Sequence, residues 1–464
     1  MRHFDLIVVG TGSGNSILDE RFRDQRVALV EHGTFGGTCL NVGCIPTKML
    51  VHTADLAATP GRAGRFGVDE TLDGVRWPAI RDRIFADRID PIARSGREYR
   101  LTHPDNDEVT VYLGTAAFTG HKELTVTLND GSGTETITAE QIVLAAGGRP
   151  VVPDIEGLAG ADFHTSDSVM RLAELPERMI ILGSGFVAAE FAHVFSALGV
   201  RVTMVARSGG VLRHEDEDIS ARFTQLAAQR WEVRLHTQAL RVEQSGGLTR
   251  LDVVGPDGAE TIEGEVLLVA TGRRPNTDRL NVAATDLAVT ADGHLVVDEH
   301  QRTTVPGIWA LGDISSPWAL KHVANHEQRV VQHNLLHPTD LVASDHRFVP
   351  HAVFSSPQIA AVGLTEAQAI DQGLDVTVAL QQYADIAYGW AMEEETGFAK
   401  LIADRGTGRL VGAHIIGPQA PTLIQPLIQA MSFDMDVRTL ARGQYWIHPS
   451  MPELVENALL KLEL

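Results

Sequence analysis

Two cysteines occur in the 464 residues, and they lie five apart, Cys39 and Cys44. Such a pair suits redox chemistry better than a structural staple, because a dithiol that closes and opens can store and release two electrons. Residues five apart on an ideal helix have Cα atoms roughly 8–9 Å apart, beyond the ~7 Å reach of a disulfide. The segment Gly36-Gly37-Thr38-Cys39-Leu40-Asn41-Val42-Gly43-Cys44-Ile45-Pro46-Thr47-Lys48 must therefore be distorted if the sulfurs are to join. Gly43 and Pro46 suit an irregular turn feeding a helix. Cys44 is then expected near a helix N-terminus, where partial positive charge stabilises a thiolate. Two thiols cannot complete a structural zinc site and the downstream spacing is not that of a zinc ribbon, so no metal is expected. The bland alternative is two inert buried thiols.

Two glycine turns offer a partner for such chemistry. Gly10-Thr11-Gly12-Ser13-Gly14-Asn15 follows an apolar strand and is expected to open a helix, with Glu31 ending the next strand. Glycine lets backbone approach a pyrophosphate at a helix N-terminus, and the acid would accept from a ribose hydroxyl pair. The second copy is Gly183-Ser184-Gly185-Phe186-Val187-Ala188, but its following strand ends in Val205-Ala206-Arg207, with Arg213 beyond. Arginine cannot accept a ribose hydroxyl bond but pairs with a 2′-phosphate, which favours NADPH over NADH. Near the end, His448-Pro449-Ser450-Met451-Pro452-Glu453 offers an imidazole and a carboxylate that could orient it. Taken alone, that spacing among 19 histidines is more often incidental.

The elements that would position these groups are short β-rich runs alternating with helical stretches. Leu6–Val9, Val27–Val30, Ile142–Ala146, Met179–Leu182, Val202–Val205, Val266–Ala270 and Ile308–Leu311 suit parallel strands buried on both faces. An α/β doubly wound class follows. The pattern is duplicated: strand, glycine turn, helix and strand occur at 5–31 and again at 178–207. Each copy is followed by an apolar strand ending in Ala-x-Gly, first Ala145-Ala146-Gly147, then Ala270-Thr271-Gly272. Two Rossmann-like nucleotide domains are expected, the second inserted into the first. From about His346, β-branched and aromatic segments lead into helices, which reads as an α+β domain without a nucleotide signature. The expected division is 1–149 and 277–344 for the first nucleotide domain, 150–276 for the second, and 345–464 for the last.

Hydrophobic residues make up 44% and charged residues 21%, as in an ordinary globular protein. The formal charge of −21 repels nucleic acid and anionic membrane surfaces, so neither is an expected partner. No apolar run approaches the ~18–20 residues of a membrane span, and Phe4 to Val9 reads as a strand rather than a secretory leader. With only two cysteines, a reducing, cytoplasmic compartment is expected.

Over essentially its full length the chain resembles the pyridine nucleotide-disulfide oxidoreductases. The matching segments are the first glycine loop with Glu31, the dithiol, Thr165-Ser166-Asp167, and the second glycine loop with Glu190. Ala270-Thr271-Gly272-Arg273, Ala310-Leu311-Gly312-Asp313 and His448-Pro449 with Glu453 complete the series. The resemblance implies FAD on Gly10, Gly12, Ser13, Gly14, Glu31, Gly37, Thr38, Ala146, Gly147 and Asp313. It implies NADPH on Gly183, Gly185, Gly272, Arg207 and Arg213, with Phe186 as a lid over the nicotinamide pocket. Lys48 and Glu190 resemble the ion pair beside the flavin ring. Cys39 resembles the thiol that attacks the substrate disulfide, and Cys44 the thiol whose thiolate faces the flavin. His448, held by Glu453, resembles the acid/base supplied across a homodimer interface.

For the disulfide itself, Arg207 stands where the NAD-dependent lipoamide branch of the family carries glutamate. Asp19-Glu20 stands where the glutathione branch presents an arginine, and such an acidic patch would disfavour an anionic disulfide. The stretches 12–21, 35–37 and 441–448 resemble the branch acting on mycothione, a sugar-linked cysteine disulfide. A reading from another class is an FAD-binding redox sensor whose turnover is incidental.

Overall fold

A computed structural model describes residues 1–464. Five strands lie parallel in the order Ile308–Ala310, Thr134–Leu144, Arg2–Val9, Val27–Glu31 and Val109–Gly120. Their central residues (Ile7, Val8, Leu29, Ile142, Val143) are fully buried, which is why these segments read as unbroken apolar runs. Glu123–Leu128 runs antiparallel between Val109–Gly120 and Thr134–Leu144, making a meander at one end of the sheet. A second sheet repeats the plan. Val266–Val269, Arg178–Leu182, Arg201–Val205 and Glu232–Arg234 are parallel, and Gln238–Ser245, Leu248–Gly255 and Gly258–Gly264 form the meander.

The duplication extends to single atoms. Gly10 has φ +104°, and a Cβ there would lie 2.3 Å from Ala145 O; Gly183 has φ +127°, and a Cβ there would lie 2.2 Å from Ala270 O. Each glycine thus lets its turn pass against the carbonyl that ends the strand of the Ala-x-Gly signal. The chain leaves the first sheet along Gly148–Pro150 and returns along Arg273–Pro275, and these two segments pair antiparallel with Arg273 opposite Pro150.

The last sheet is antiparallel, ordered His351–Val353, Ile359–Gly363, Arg409–Ile416, Phe398–Asp404 and Val376–Gln382. Helix Glu453–Leu460 closes it by burying Leu454, Val455, Ala458 and Leu459, the i, i+1, i+4, i+5 stripe of one helix face. No helix is long and apolar enough to cross a membrane.

One expected element is different. The first glycine turn opens not into a long helix but into two short 3₁₀ turns, Gly14–Ile17 and Glu20–Phe22. The carbonyls that would propagate a helix are bonded to side chains instead. Arg100 donates to the oxygens of Asn15 and Leu18, both at 2.9 Å, Gln328 to that of Ser16 at 3.1 Å, and Gln332 to that of Ile17 at 2.8 Å. With four consecutive acceptors engaged, the i+4 amides find no partner and the helix stops.

Candidate functional site

The two cysteines lie on either side of a helix break. Helix Gly37–Asn41 ends at Val42, Gly43 takes φ −136°, ψ −127°, and a new helix runs Cys44–Ala57. This is the distortion that the spacing demanded. At Gly43 a Cβ would lie 2.9 Å from Thr38 O and 3.3 Å from Cys39 Cα, so the chain doubles back onto Cys39 only because residue 43 has no side chain. Asn41 secures the turn, its Nδ2 donating to the oxygens of Phe35 at 2.9 Å and Gly37 at 3.0 Å.

Doubling back brings the head of the second helix to the Cys39 sulfur. The Cys44 thiol donates to it, the Lys321 ammonium and the N–H groups of Ile45 and Cys44 face it, and together they outweigh burial and lower Cys39 to about 7. Cys44 moves the opposite way. Its proton is held by Cys39, and burial and the negative charge of Asp313 raise it further. Cys44 keeps an accessible face, yet protein packs closely enough around it to oppose charge. The helix N-terminus therefore serves both thiols: the N–H of Cys44 lowers each of them, and that of Ile45 lowers Cys39, where the Lys321 ammonium adds its charge.

At the first glycine turn, Glu31 is buried, and Thr11 N and Oγ1 donate to its Oε2 at 2.8 and 2.6 Å, Gly33 N to its Oε1 at 2.7 Å. Burial opposes the charge, but these donors and His32 hold the carboxyl below its usual range. The exposed His32 ring lies 3.3 Å from Oε1. Gly12 and Gly37 approach so closely that a Cβ on Gly37 would lie 2.7 Å from Gly12 Cα, which lines the turn with bare backbone beside Thr38. Ser13 Oγ accepts from Lys321 Nζ at 2.7 Å and donates to Asn325 Oδ1 at 3.2 Å. Asn276 fixes the Ala-x-Gly end, donating through Nδ2 to Ala146 O at 2.8 Å and through its N–H to Gly147 O at 3.1 Å. Asp313 is largely desolvated; burial raises its carboxyl, and its nearest cation is Arg273, 3.9 Å away.

At the second turn Gly185 precedes helix Phe186–Ala197, and Phe186 stays exposed at its first position. Gly272, at φ +127°, ends the neighbouring strand. Arg207 and Arg213 are both exposed and pair with no carboxylate. Their loop is drawn to the glycine turn by Leu212 N, which donates to Ser184 O at 2.8 Å, and by Ser208 Oγ, 3.1 Å from Ser184 Oγ.

Lys48 and Glu190 do not form the expected direct pair. Glu190 accepts from Phe354 N at 2.9 Å, while Lys48 Nζ stands 4.0 Å above the Phe354 ring, and no salt bridge joins the two side chains. Burial pushes the Glu190 carboxyl up to about 7 and depresses the Lys48 ammonium. Both thus contact Phe354, a residue that the motif around each could not reveal, and each still acts on the other's charge. His448 Nδ1 lies 2.6 Å from Glu453 Oε1, and its ring is 69% exposed to solvent. The Asp19-Glu20 patch is weaker than its sequence suggests, because Arg21 binds Asp19 through NH2 at 2.6 Å and Nε at 3.0 Å.

Sequence and structure comparisons converge on one family. The profile for pyridine nucleotide-disulphide oxidoreductases matches residues 4–331, and that for their dimerisation domain matches 349–459. The chain belongs to this family. Mycothione reductase of Mycobacterium tuberculosis is 55% identical over the whole of both chains. A mercuric reductase of Streptomyces lividans is 34% identical, covering 95% of this chain and 92% of that one. Among solved structures, the HOCl-induced flavoprotein disulfide reductase RclA of Escherichia coli superposes with a TM-score of 0.84 at 27% identity, covering 99% of this chain and all of the other. This oxidoreductase is accordingly an NADPH-dependent flavoprotein disulfide reductase whose cofactors are FAD and NADPH.

The residues present fit both cofactors. A bare-backbone turn at Gly12 and Gly37 suits a pyrophosphate, the largely desolvated Asp313 carboxyl takes a bond only from its own backbone, and two unpaired arginines flank the second turn. Sequence reasoning missed Lys321, which joins the first glycine turn to Cys39, and Arg100, which shapes that turn. Neither lies in a motif; an inverted expectation of helix at 14–22 was the only available signal for Arg100.

Proposed function

We propose that this oxidoreductase reduces mycothione to mycothiol, working as a homodimer. Its whole-length likeness to mycothione reductase supports the substrate, and the dithiol geometry carries the chemistry. In this reading residues 1–149 and 277–344 hold FAD, 150–276 hold NADPH, and 345–464 pair two chains. Bound FAD relays two electrons from NADPH to the Cys39–Cys44 disulfide. Gly10, Gly12, Ser13, Gly14, Gly37, Thr38, Ala146 and Gly147 bind its phosphates and neighbouring atoms, Glu31 its adenosine ribose, and Asp313 its sugar-alcohol chain. Gly183, Gly185, Gly272, Arg207 and Arg213 bind NADPH, with Phe186 as the lid. Lys48 and Glu190 set the charge beside the ring.

Reduction leaves the charge on Cys39, lowered to about 7, so near neutral pH about half of the reduced enzyme carries the nucleophile. Cys39 attacks one sulfur of the substrate, forming a mixed disulfide, and His448 of the partner subunit protonates the departing thiolate. Cys44, which holds its proton until then, gives it to the now neutral His448 of the partner subunit and attacks Cys39, and the second mycothiol leaves as a thiolate that takes that proton back. Glu453 accepts from His448 Nδ1, which leaves Nε2 to move the proton.

NADPH consumption by the purified enzyme, compared between mycothione and glutathione disulfide, tests the substrate. Mycothione should turn over faster, and faster turnover of glutathione disulfide would refute the choice.

A further inference from the structure

The loop from Ala206 to Asp216, which carries Arg207 and Arg213, is anchored on two different sheets. Its near end belongs to the second nucleotide sheet through the bonds to Ser184. Val211 is tied to the helix Glu217–Arg230 that follows, its N–H donating to Thr224 Oγ1 at 2.9 Å and its oxygen accepting from Ser220 Oγ at 2.9 Å. Its far end is held by the antiparallel C-terminal sheet. His351 Nε2 lies 2.8 and 3.0 Å from the two oxygens of Glu215. Lys400, 2% exposed, places Nζ 2.8 Å from Asp216 Oδ1, 2.6 Å from Asp218 Oδ2 and 2.7 Å from Glu366 Oε2. Glu366 N completes the clasp by donating to Asp216 Oδ2 at 3.1 Å. Arg213 sits between the anchors, after the left-handed Leu212 (φ +57°) and two residues before Glu215, with its guanidinium in solvent.

A guanidinium on a free loop must be ordered before it can grip a phosphate, and that ordering subtracts from affinity. A loop fixed at both ends is already ordered, and rigid support is what separates a selective site from a loose one. A buried lysine among three carboxylates makes a strong clasp, because removing either side leaves an uncompensated charge.

We propose that His351 and Lys400 are positioning residues for coenzyme choice: by pinning Glu215 and Asp216 from the neighbouring sheet, they hold Arg213 where a 2′-phosphate meets it. The inference rests on the reading of Arg207 and Arg213 as the 2′-phosphate site. It makes the C-terminal domain a determinant of which dinucleotide the inserted domain prefers, without any contact between the two residues and the coenzyme.

Steady-state kinetics with NADPH and with NADH on the full-length holoenzyme test this, using His351→Ala, His351→Gln, Lys400→Met and, for calibration, Arg213→Ala. His351→Ala and Lys400→Met should lower the NADPH-to-NADH ratio of kcat/KM roughly fivefold, within the range of coupling between contacting residues. The loss should fall on KM for NADPH, with KM for NADH changed by less than about twofold, because NADH has no 2′-phosphate. His351→Gln, which keeps a donor for Glu215, should stay near the parent ratio. A lowered ratio in Arg213→Ala with unchanged ratios in His351→Ala and Lys400→Met overturns the inference and leaves the phosphate site standing. An unchanged ratio in Arg213→Ala overturns the phosphate site, and the inference with it. If Lys400→Met does not fold, His351→Ala and Glu215→Gln decide the matter by the same ratio.

Discussion

Replacing Lys321 by methionine should raise the pH at which Cys39 loses its proton. Lys321 is the full positive charge that favours the Cys39 thiolate, second only to the Cys44 thiol among the groups that lower it to about 7. A unit charge acting through an effective dielectric of ~20 contributes on the order of 1 kcal/mol, or ~0.8 of a pH unit. Thiolate at pH 7 would then fall from about one half to about one in seven. Turnover is the wrong readout, because a more basic thiolate is also a better nucleophile; with a Brønsted coefficient of ~0.4–0.5 the net change in attack rate is under about twofold. The midpoint itself should be measured. NADPH-reduced enzyme is trapped with iodoacetamide across a pH series, and alkylation of the Cys39 peptide is quantified by mass spectrometry. Lys321→Arg separates charge from the loss of the bond to Ser13 and should leave the midpoint near the parent. A midpoint that stays put or falls in Lys321→Met would refute the electrostatic argument.

Gly43→Ala should cut disulfide turnover at least tenfold while FAD stays bound, because the new methyl lands 2.9 Å from Thr38 O and pushes the second helix off Cys39; flavin absorbance and turnover read the two parts. Gly10→Ala should lose FAD, whereas Gly183→Ala should keep it and raise KM for NADPH, since each methyl meets the strand carbonyl of its own turn at 2.3 or 2.2 Å. His351 gives a pH signature in stability. Burial pulls its imidazole down, but Glu215 outweighs burial and the net shift is upward, with the buried His414 as the other titratable neighbour. The His351–Glu215 contribution is therefore complete below about pH 6.5 and fades as pH rises through the raised value. The Tm of the parent should decline through that window relative to His351→Gln; parallel curves would count against it.

How much of this was legible beforehand depended on how local each cause was. The break before Cys44 was readable because a five-residue spacing and a disulfide's reach contradict each other within one turn of chain. The strands were readable because a strand buried on both faces, such as Leu6–Val9, has no polar side to interrupt it. The first glycine turn misled, because its helix is stopped by Arg100, Gln328 and Gln332, which lie 82 to 315 residues further on. Lys48 and Glu190 were read as an ion pair from the family resemblance, but Phe354, just after the strand His351–Val353, takes a contact from each. The Cys44 thiolate was expected from helix position and from the family resemblance. The pull that lowers Cys39 and raises Cys44 depends on where Lys321 and Asp313 fall in three dimensions.

The paired segments Gly148–Pro150 and Arg273–Pro275 give the inserted portion of the chain a single neck. Entry and exit are hydrogen-bonded neighbours, so everything between them is joined covalently to the first sheet at one place and leaves that sheet's strand order undisturbed. Such an insert can be exchanged as a cassette, and the host sheet would close over the same two strands whatever hangs from them. The clasp of Lys400 and His351 is what a borrowed cassette would lack. A transplanted coenzyme module would fold on its own sheet and still arrive with its arginine loop tied at one end only.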